Sequence, residues 1–147
     1  MISRKGRRDK GSRLEREVAR LLREWSGDNT FQRAFLSRSQ GKVVCDIVVP
    51  DWFPFFISCK NNEKWDLNTF FTGNGGIIME WWVEHCRACE RTGRSPMLMF
   101  TRNYAPLLLM VPGWASVQRA VVLKTTECIT VCLLLDWLAE KRRWEFE

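Results

Sequence analysis

Three polar residues interrupt the most apolar part of the chain. Residues 43–60 read VVCDIVVPDWFPFFISCK, and Asp46, Ser58 and Lys60 stand where hydrophobic neighbours are expected. A carboxylate facing x-x-Lys on an adjacent strand can do phosphate chemistry. The carboxylate binds Mg²⁺, while the lysine orients an attacking water and offsets phosphate charge. The spacing supports such a meeting. Two short runs rich in Val, Ile and Phe flank a Pro-Asp-Trp turn, which predicts a β-hairpin or two adjacent buried strands. Side chains alternate along a strand, so Ser58 and Lys60 share a face, and pairing brings Asp46 towards both. The bland alternative is a strand-edge aspartate and a lysine reaching out of the sheet end.

Several elements must position these residues. Residues 1–10, MISRKGRRDK, read as a basic arm ahead of a single domain spanning 11–147. Arg4, Lys5, Arg7, Arg8 and Lys10, with Arg13 just beyond, suit contact with nucleic-acid phosphates. Such contacts carry no sequence information and weaken with salt. A solvated terminus is the alternative. Residues 11–25 form the clearest helix, with Ser12 as a candidate cap and Glu15 at capping-box spacing. Leu14, Val18, Leu21, Leu22 and Trp25 make its apolar stripe. Glu15 falls at the stripe's edge, beside Leu22, and so points along the core margin unless it only caps the helix. Residues 30–40 hold Arg33 and Arg38, which are either phosphate ligands or ordinary surface arginines.

Beyond Lys60 comes a polar and aromatic loop. Its Trp65, Phe70 and Phe71 suit packing better than stacking on bases. The glycines at 73, 75 and 76 make a turn; no Lys-Ser/Thr follows to complete a phosphate loop. Residues 77–91 predict a second helix on which Glu80 and Glu84 are one turn apart. The lone histidine, His85, lies on its apolar side and reads as structural. Residues 95–102 and 106–112 predict strands, 119–124 and 127–131 short edge strands, and 132–144 a last helix that ends in Lys141, Arg142 and Arg143. Helix, strands, helix, strands, helix argues for one α/β domain with a mixed central sheet flanked by helices.

The net charge of +6 over 147 residues favours a polyanionic partner. Six cysteines give no disulfide framework. Cys45 and Cys59 read as core residues, and a zinc site would need Cys86 and Cys89 to meet Cys128 and Cys132, which sit in an apolar run. Neither a signal peptide nor a membrane-spanning stretch is visible, so the expected setting is a cytoplasm with reduced thiols, and a host's cytoplasm for a viral chain.

The opening Lys10-Gly11-Ser12-Arg13-Leu14-Glu15-Arg16-Glu17 resembles the KGxxxERE start of archaeal-type Holliday junction resolvases, members of the PD-(D/E)xK nuclease superfamily. The family's Asp-Ile/Leu-Val strand corresponds to Asp46-Ile47-Val48 and its (D/E)xK to Ser58-Cys59-Lys60. The resemblance covers roughly residues 10–100 and implies a restriction endonuclease-like α/β fold. It also implies a Mg²⁺-dependent endonuclease, with Mn²⁺ as a substitute, that cuts four-way or other branched DNA as a C2 homodimer. Trp81, Trp82 or the C-terminal helix are candidate dimer faces. In this reading Asp46 binds metal, Glu15 binds metal or positions its water, and Lys60 orients the nucleophilic water. Cys45 replaces the family's proline. Ser58 replaces its second carboxylate, and a hydroxyl brings no charge to a Mg²⁺ site. Three outcomes stay open: a carboxylate displaced to Glu80 or Glu84, with Glu63 as an outside choice; metal held by Glu15, Asp46 and the Cys59 carbonyl; or an inactive, DNA-binding site.

Overall fold

The computed structural model describes residues 4–34, 45–124 and 127–147. Helix α1 (Arg4–Ser26) buries Leu14, Val18, Ala19 and Leu22 along one stripe. It stops at Gly27, whose φ of 70° is the left-handed conformation that closes helices, with the Gly27 N–H donating to the Arg23 carbonyl at 2.7 Å. The helix starts seven residues earlier than the sequence suggests. Residues 4–10 are therefore its first turns, and Ser12 lies inside the helix rather than at its start. Arginine and lysine are good helix formers, so the single Gly11, costing about 1 kcal/mol against alanine, does not break the run. The ion pair from Lys10 Nζ to Glu63 Oε1, 2.5 Å, also fixes this end against the body.

Strand β1 (Gln32–Arg33) pairs antiparallel with β2 (Ile47–Val48) as a two-stranded ribbon. The hairpin expected over residues 43–60 is thus divided. Pro50, Asp51 and Trp52 do turn the chain, with Phe53 N–H donating to the Pro50 carbonyl at 3.1 Å. Yet β2 gives its ladder to β1, and the backbone link to the neighbouring strand is the Asp46 N–H, which donates to the Ile57 carbonyl at 2.7 Å. Two prolines, Pro50 and Pro54, supply no N–H in this stretch, which limits a continuous ladder.

The main sheet has five strands in the order β3-β4-β5-β7-β6. They are β3 (Phe55–Asn61), β4 (Ser95–Thr101), β5 (Leu108–Pro112), β6 (Ala120–Lys124) and β7 (Cys128–Leu133). β3 and β4 are parallel, and the other pairings are antiparallel. The parallel pair is bridged by a short helix α2 (Thr69–Thr72) and by α3 (Gly76–Cys89). The fold is α/β with a mixed sheet between helices. On one face α1 and α4 (Leu134–Glu140) cover Ile57, Met97, Met99 and Leu109; on the other α3 covers Leu98, Phe100 and Met110. Trp65 is buried edge-on against Phe100, centroids 5.0 Å apart, whereas Phe71 stays exposed.

Two further expectations change at the C-terminal end. β7 is not an edge strand: its run Cys128–Leu133 is largely buried, as suits a strand placed between β5 and β6. Cys132 and Leu133 stay in that strand, Leu133 pairing with Leu108, so the last helix begins only at Leu134. It ends at Glu140, and Lys141 and Arg142 are extended. A 3₁₀ turn at Arg143–Glu145 then brings Phe146 parallel to Trp137, with ring centroids 5.8 Å apart. No helix among the described residues is long and apolar enough to cross a membrane.

Candidate active site

β3 is an edge of the main sheet, so its outward N–H and C=O groups need partners from elsewhere. Asp46 supplies them. Its N–H donates to the Ile57 carbonyl, and its Oδ2 accepts the Cys59 N–H at 2.7 Å. The carboxylate is therefore held at the sheet rim by backbone. Cys45 strengthens the same corner: its Sγ accepts the Ile57 N–H at 3.1 Å and its S–H donates to the Ile47 carbonyl at 2.6 Å. Burial pushes its thiol up to about 11, which leaves it protonated and inert. Cysteine thus fits where the resembled family has proline.

Alternation along β3 divides the neighbouring side chains. Ile57 and Cys59 face the α1 layer; Ser58 and Lys60 face α3. From α3 come Trp81, Glu84, His85 and Ala88, spaced i, i+3, i+4 and i+7, which is one stripe of a helix. Asp46, Ser58, Lys60 and this stripe line one cleft of about 140 Å³. His85 fixes the helix to the strand, its ring nitrogen lying 2.8 Å from the Phe56 carbonyl. Burial is the main influence on the imidazole and holds it below its usual range, so the neutral form is favoured near pH 7. Asp46, Lys60 and Glu84 all act on it electrostatically.

The displaced carboxylates differ. Glu84 lines the cleft that holds Lys60. Glu80 does not line that cleft; it lines a neighbouring groove with Met79, Val83 and Arg87, which Glu84 also borders. Glu63 is engaged by Lys10 and by the Asn103 N–H at 2.8 Å. Glu15 stands on the α1 side and accepts Arg33 Nε at 2.5 Å. Burial, the largest influence, raises its carboxyl above the usual range; the Arg33 hydrogen bond opposes this, and the Asp46 charge adds to it. Glu15 is thus close to Asp46 but does not line the cleft with Lys60.

Arg33, expected to bind phosphate, is paired with Glu15, and Lys10 is paired with Glu63. Lys5 and Arg13 are exposed on α1. The side chains of Arg4, Arg7 and Arg8, and the whole of Arg38, lie outside the described residues. Trp82, a candidate dimer residue, is buried in the core. Trp81, the other candidate dimer residue, and His85, which the sequence presents as structural, both line the cleft. Their i, i+4 spacing with Glu84 between them was visible in sequence, but only the position of β3 makes that stripe a wall of the site.

Among the described residues no three His, Cys, Asp or Glu side chains converge to hold a metal ion, and this includes the cysteines weighed for zinc. The cleft instead offers two carboxylates, Asp46 and Glu84, and the Ser58 hydroxyl. All are hard oxygen donors. That set fits Mg²⁺, which keeps several waters and is commonly held by only one or two carboxylates.

The family model described as "Phage putative PDDEXK endonuclease" matches residues 6–133. No curated protein and no solved structure matches the chain. The α/β architecture is consistent with the restriction endonuclease-like fold of such enzymes.

Proposed function

The chain belongs to the phage PDDEXK endonuclease family, and from that premise we propose that it is a Mg²⁺-dependent endodeoxyribonuclease in which Glu84 replaces the carboxylate missing at Ser58. One observation carries the proposal: Asp46, Lys60 and Glu84 line the same cleft although they come from three separate segments. Asp46 and Glu84 would hold the ion. When bound, the ion supplies Lewis-acid stabilisation of the phosphate and a more acidic water. Lys60 orients the attacking water and offsets the charge that builds on the phosphoryl oxygens. Asp46 is kept in place by the Cys59 N–H, and Glu84 by the anchoring of α3 through His85. Glu15 acts as a positioning residue: paired with Arg33, it sets the charge beside Asp46.

The substrate we propose is branched DNA, with the four-way junction first, supported by the resemblance of residues 10–17 to junction resolvases. A two-fold junction suits a C2 homodimer with one cleft per strand. The exposed cations of α1, Lys5 and Arg13, are the candidate phosphate contacts. A host cytoplasm is the setting we propose, supported by the phage description of the family. The test is cleavage of a labelled four-way junction beside a matched linear duplex, with Mg²⁺, Mn²⁺ and EDTA. Metal-dependent nicks in the junction alone establish the resolvase reading. Nicks in both establish a nuclease of broader choice. Tight binding with no cleavage under any metal overturns the enzyme and favours a DNA-binding module, the reading that the uncharged Ser58 supports.

A further inference from the structure

The β4–β5 connection leaves the sheet at the end where Lys60 stands. β3 and β4 run parallel, with Lys60 opposite Phe100 and Asn61 opposite Thr101, and the loop follows at once. It is a tight turn closed by the Ala105 N–H on the Arg102 carbonyl at 3.1 Å. Its third residue is Tyr104, with φ 60°, the only non-glycine residue at positive φ among those described. Tyr104 is also fully exposed, at 109%. Singly exposed aromatics are ordinary. A left-handed tyrosine is not, because glycine fills that turn position without the clash between Cβ and backbone, and asparagine offsets the clash with a local hydrogen bond. Asn103, a residue type that tolerates the conformation, stands one place too early.

The loop is also rigidly held. Glu63 accepts the Asn103 N–H at 2.8 Å and is itself paired with Lys10 of α1. Arg102 donates to the Trp65 carbonyl at 2.6 Å and lies over the Trp65 ring, 4.6 Å from its centroid. The Thr101 hydroxyl adds contacts to the carbonyls of Ala105 and Pro106. A strained backbone, a fixed loop and a bare aromatic ring therefore coincide at the end of the sheet that carries Lys60, and the loop is linked through Glu63 to the basic end of α1.

We propose that Tyr104 is a stacking platform for an unpaired nucleobase, so that DNA with splayed or branched strands is seated at the cleft in preference to intact duplex. The inference rests on the nuclease reading for its substrate class. A base stacked on an aromatic side chain needs the ring and not the hydroxyl, and it tolerates any base.

Tyr104 is the single tyrosine of the chain, so incorporation of 3-fluorotyrosine gives one ¹⁹F resonance. In EDTA, where no cleavage occurs, a forked DNA with single-stranded arms should move that resonance, and a blunt duplex of equal length should leave it in place. Tyr104→Gly should weaken binding of the forked DNA about tenfold while duplex binding stays within about twofold, and Tyr104→Phe should bind like the wild type. A resonance that stays put at saturating forked DNA, or moves equally with the duplex, overturns the platform. So does a Tyr104→Gly protein with unchanged preference. The two readings fail separately. Metal-dependent cleavage with an unmoved resonance sinks only the platform, and a moved resonance with no cleavage under any metal sinks only the nuclease.

Discussion

The Oδ2 of Asp46 accepts the backbone N–H of Cys59 at 2.7 Å, so the carboxylate is bonded to the strand that carries Lys60. Ser58 and Lys60 flank Cys59 and point to the opposite side from its thiol. Asp46 at the rim is thus reached from both layers, by Glu15 on α1 and by the Glu84 cleft on α3. Asp46→Asn keeps the shape and the acceptor oxygen but removes the charge. Cleavage should fall at least about a hundredfold while DNA affinity changes little. Parallel assays of cleavage and fluorescence anisotropy check this, and cleavage that persists in the variant removes Asp46 from the chemistry.

Glu84 and Glu80 are one helical turn apart and border a common groove, but only Glu84 also lines the cleft with Lys60. Glu84→Gln should lose cleavage by about a hundredfold, and Glu80→Gln should stay within about twofold of wild type. The reverse order would move the second carboxylate out of the cleft seen here. Ser58→Glu adds a third acidic group beside two already present, so cleavage should fall or stay level. A clear rise would mean that Glu84 does not serve.

Arg33 and Glu15 form a half-buried pair, and removing one partner leaves the other in a poor solvent. Arg33→Met should cost about 1–3 kcal/mol of folding stability, with Glu15→Gln restoring part of it in the double variant. Urea titration of the four proteins measures the coupling. Additive losses would show that the pair contributes nothing.

Asp28 ties the end of α1 to the aromatic cluster. Its carboxylate accepts the Thr30 N–H and the Trp52 indole N–H, each at 2.8 Å. Interactions with Thr30 first, and then with Trp52, hold its carboxyl down to about 2. A carboxyl lower in the folded than in the unfolded chain contributes stability that is full above its unfolded range, near 3.8, and is lost as pH falls towards 2. Melting temperature should therefore drop less steeply between pH 4 and 2 in Asp28→Asn than in wild type, measured against each protein's own value at pH 7. Parallel curves would contradict the shift.

Tyr104→Gly relieves the left-handed backbone. The folded protein should gain about 1 kcal/mol, offset in part by the greater freedom of glycine in the unfolded chain. A melting temperature at or above wild type, together with weaker binding of forked DNA, separates a functional residue from a structural one. A large fall in stability would show that the side chain holds the loop.

Local chemistry made much of this protein legible without coordinates. The stripe of Leu14, Val18 and Leu22 has only one helical face to bury, and the alternation from Ile57 to Lys60 places Ser58 and Lys60 together on any strand. The order of elements then dictates an α/β sheet. Element ends were less legible, because Arg4 to Lys10 prefers helix as readily as it prefers solvent, and the apolar run from Cys128 can extend a strand or open a helix until a neighbour claims its hydrogen bonds. The tertiary structure alone decided which acidic residue meets Lys60. Glu15, Glu63, Glu80 and Glu84 are all candidates by sequence, but once α1 and α3 pack on opposite faces of one sheet, Glu15 pairs with Arg33, Glu63 pairs with Lys10, and only Glu84 lines the cleft with Lys60. Sequence spacing fixes directions within an element, whereas the approach of two elements depends on how buried side chains fill the space between them.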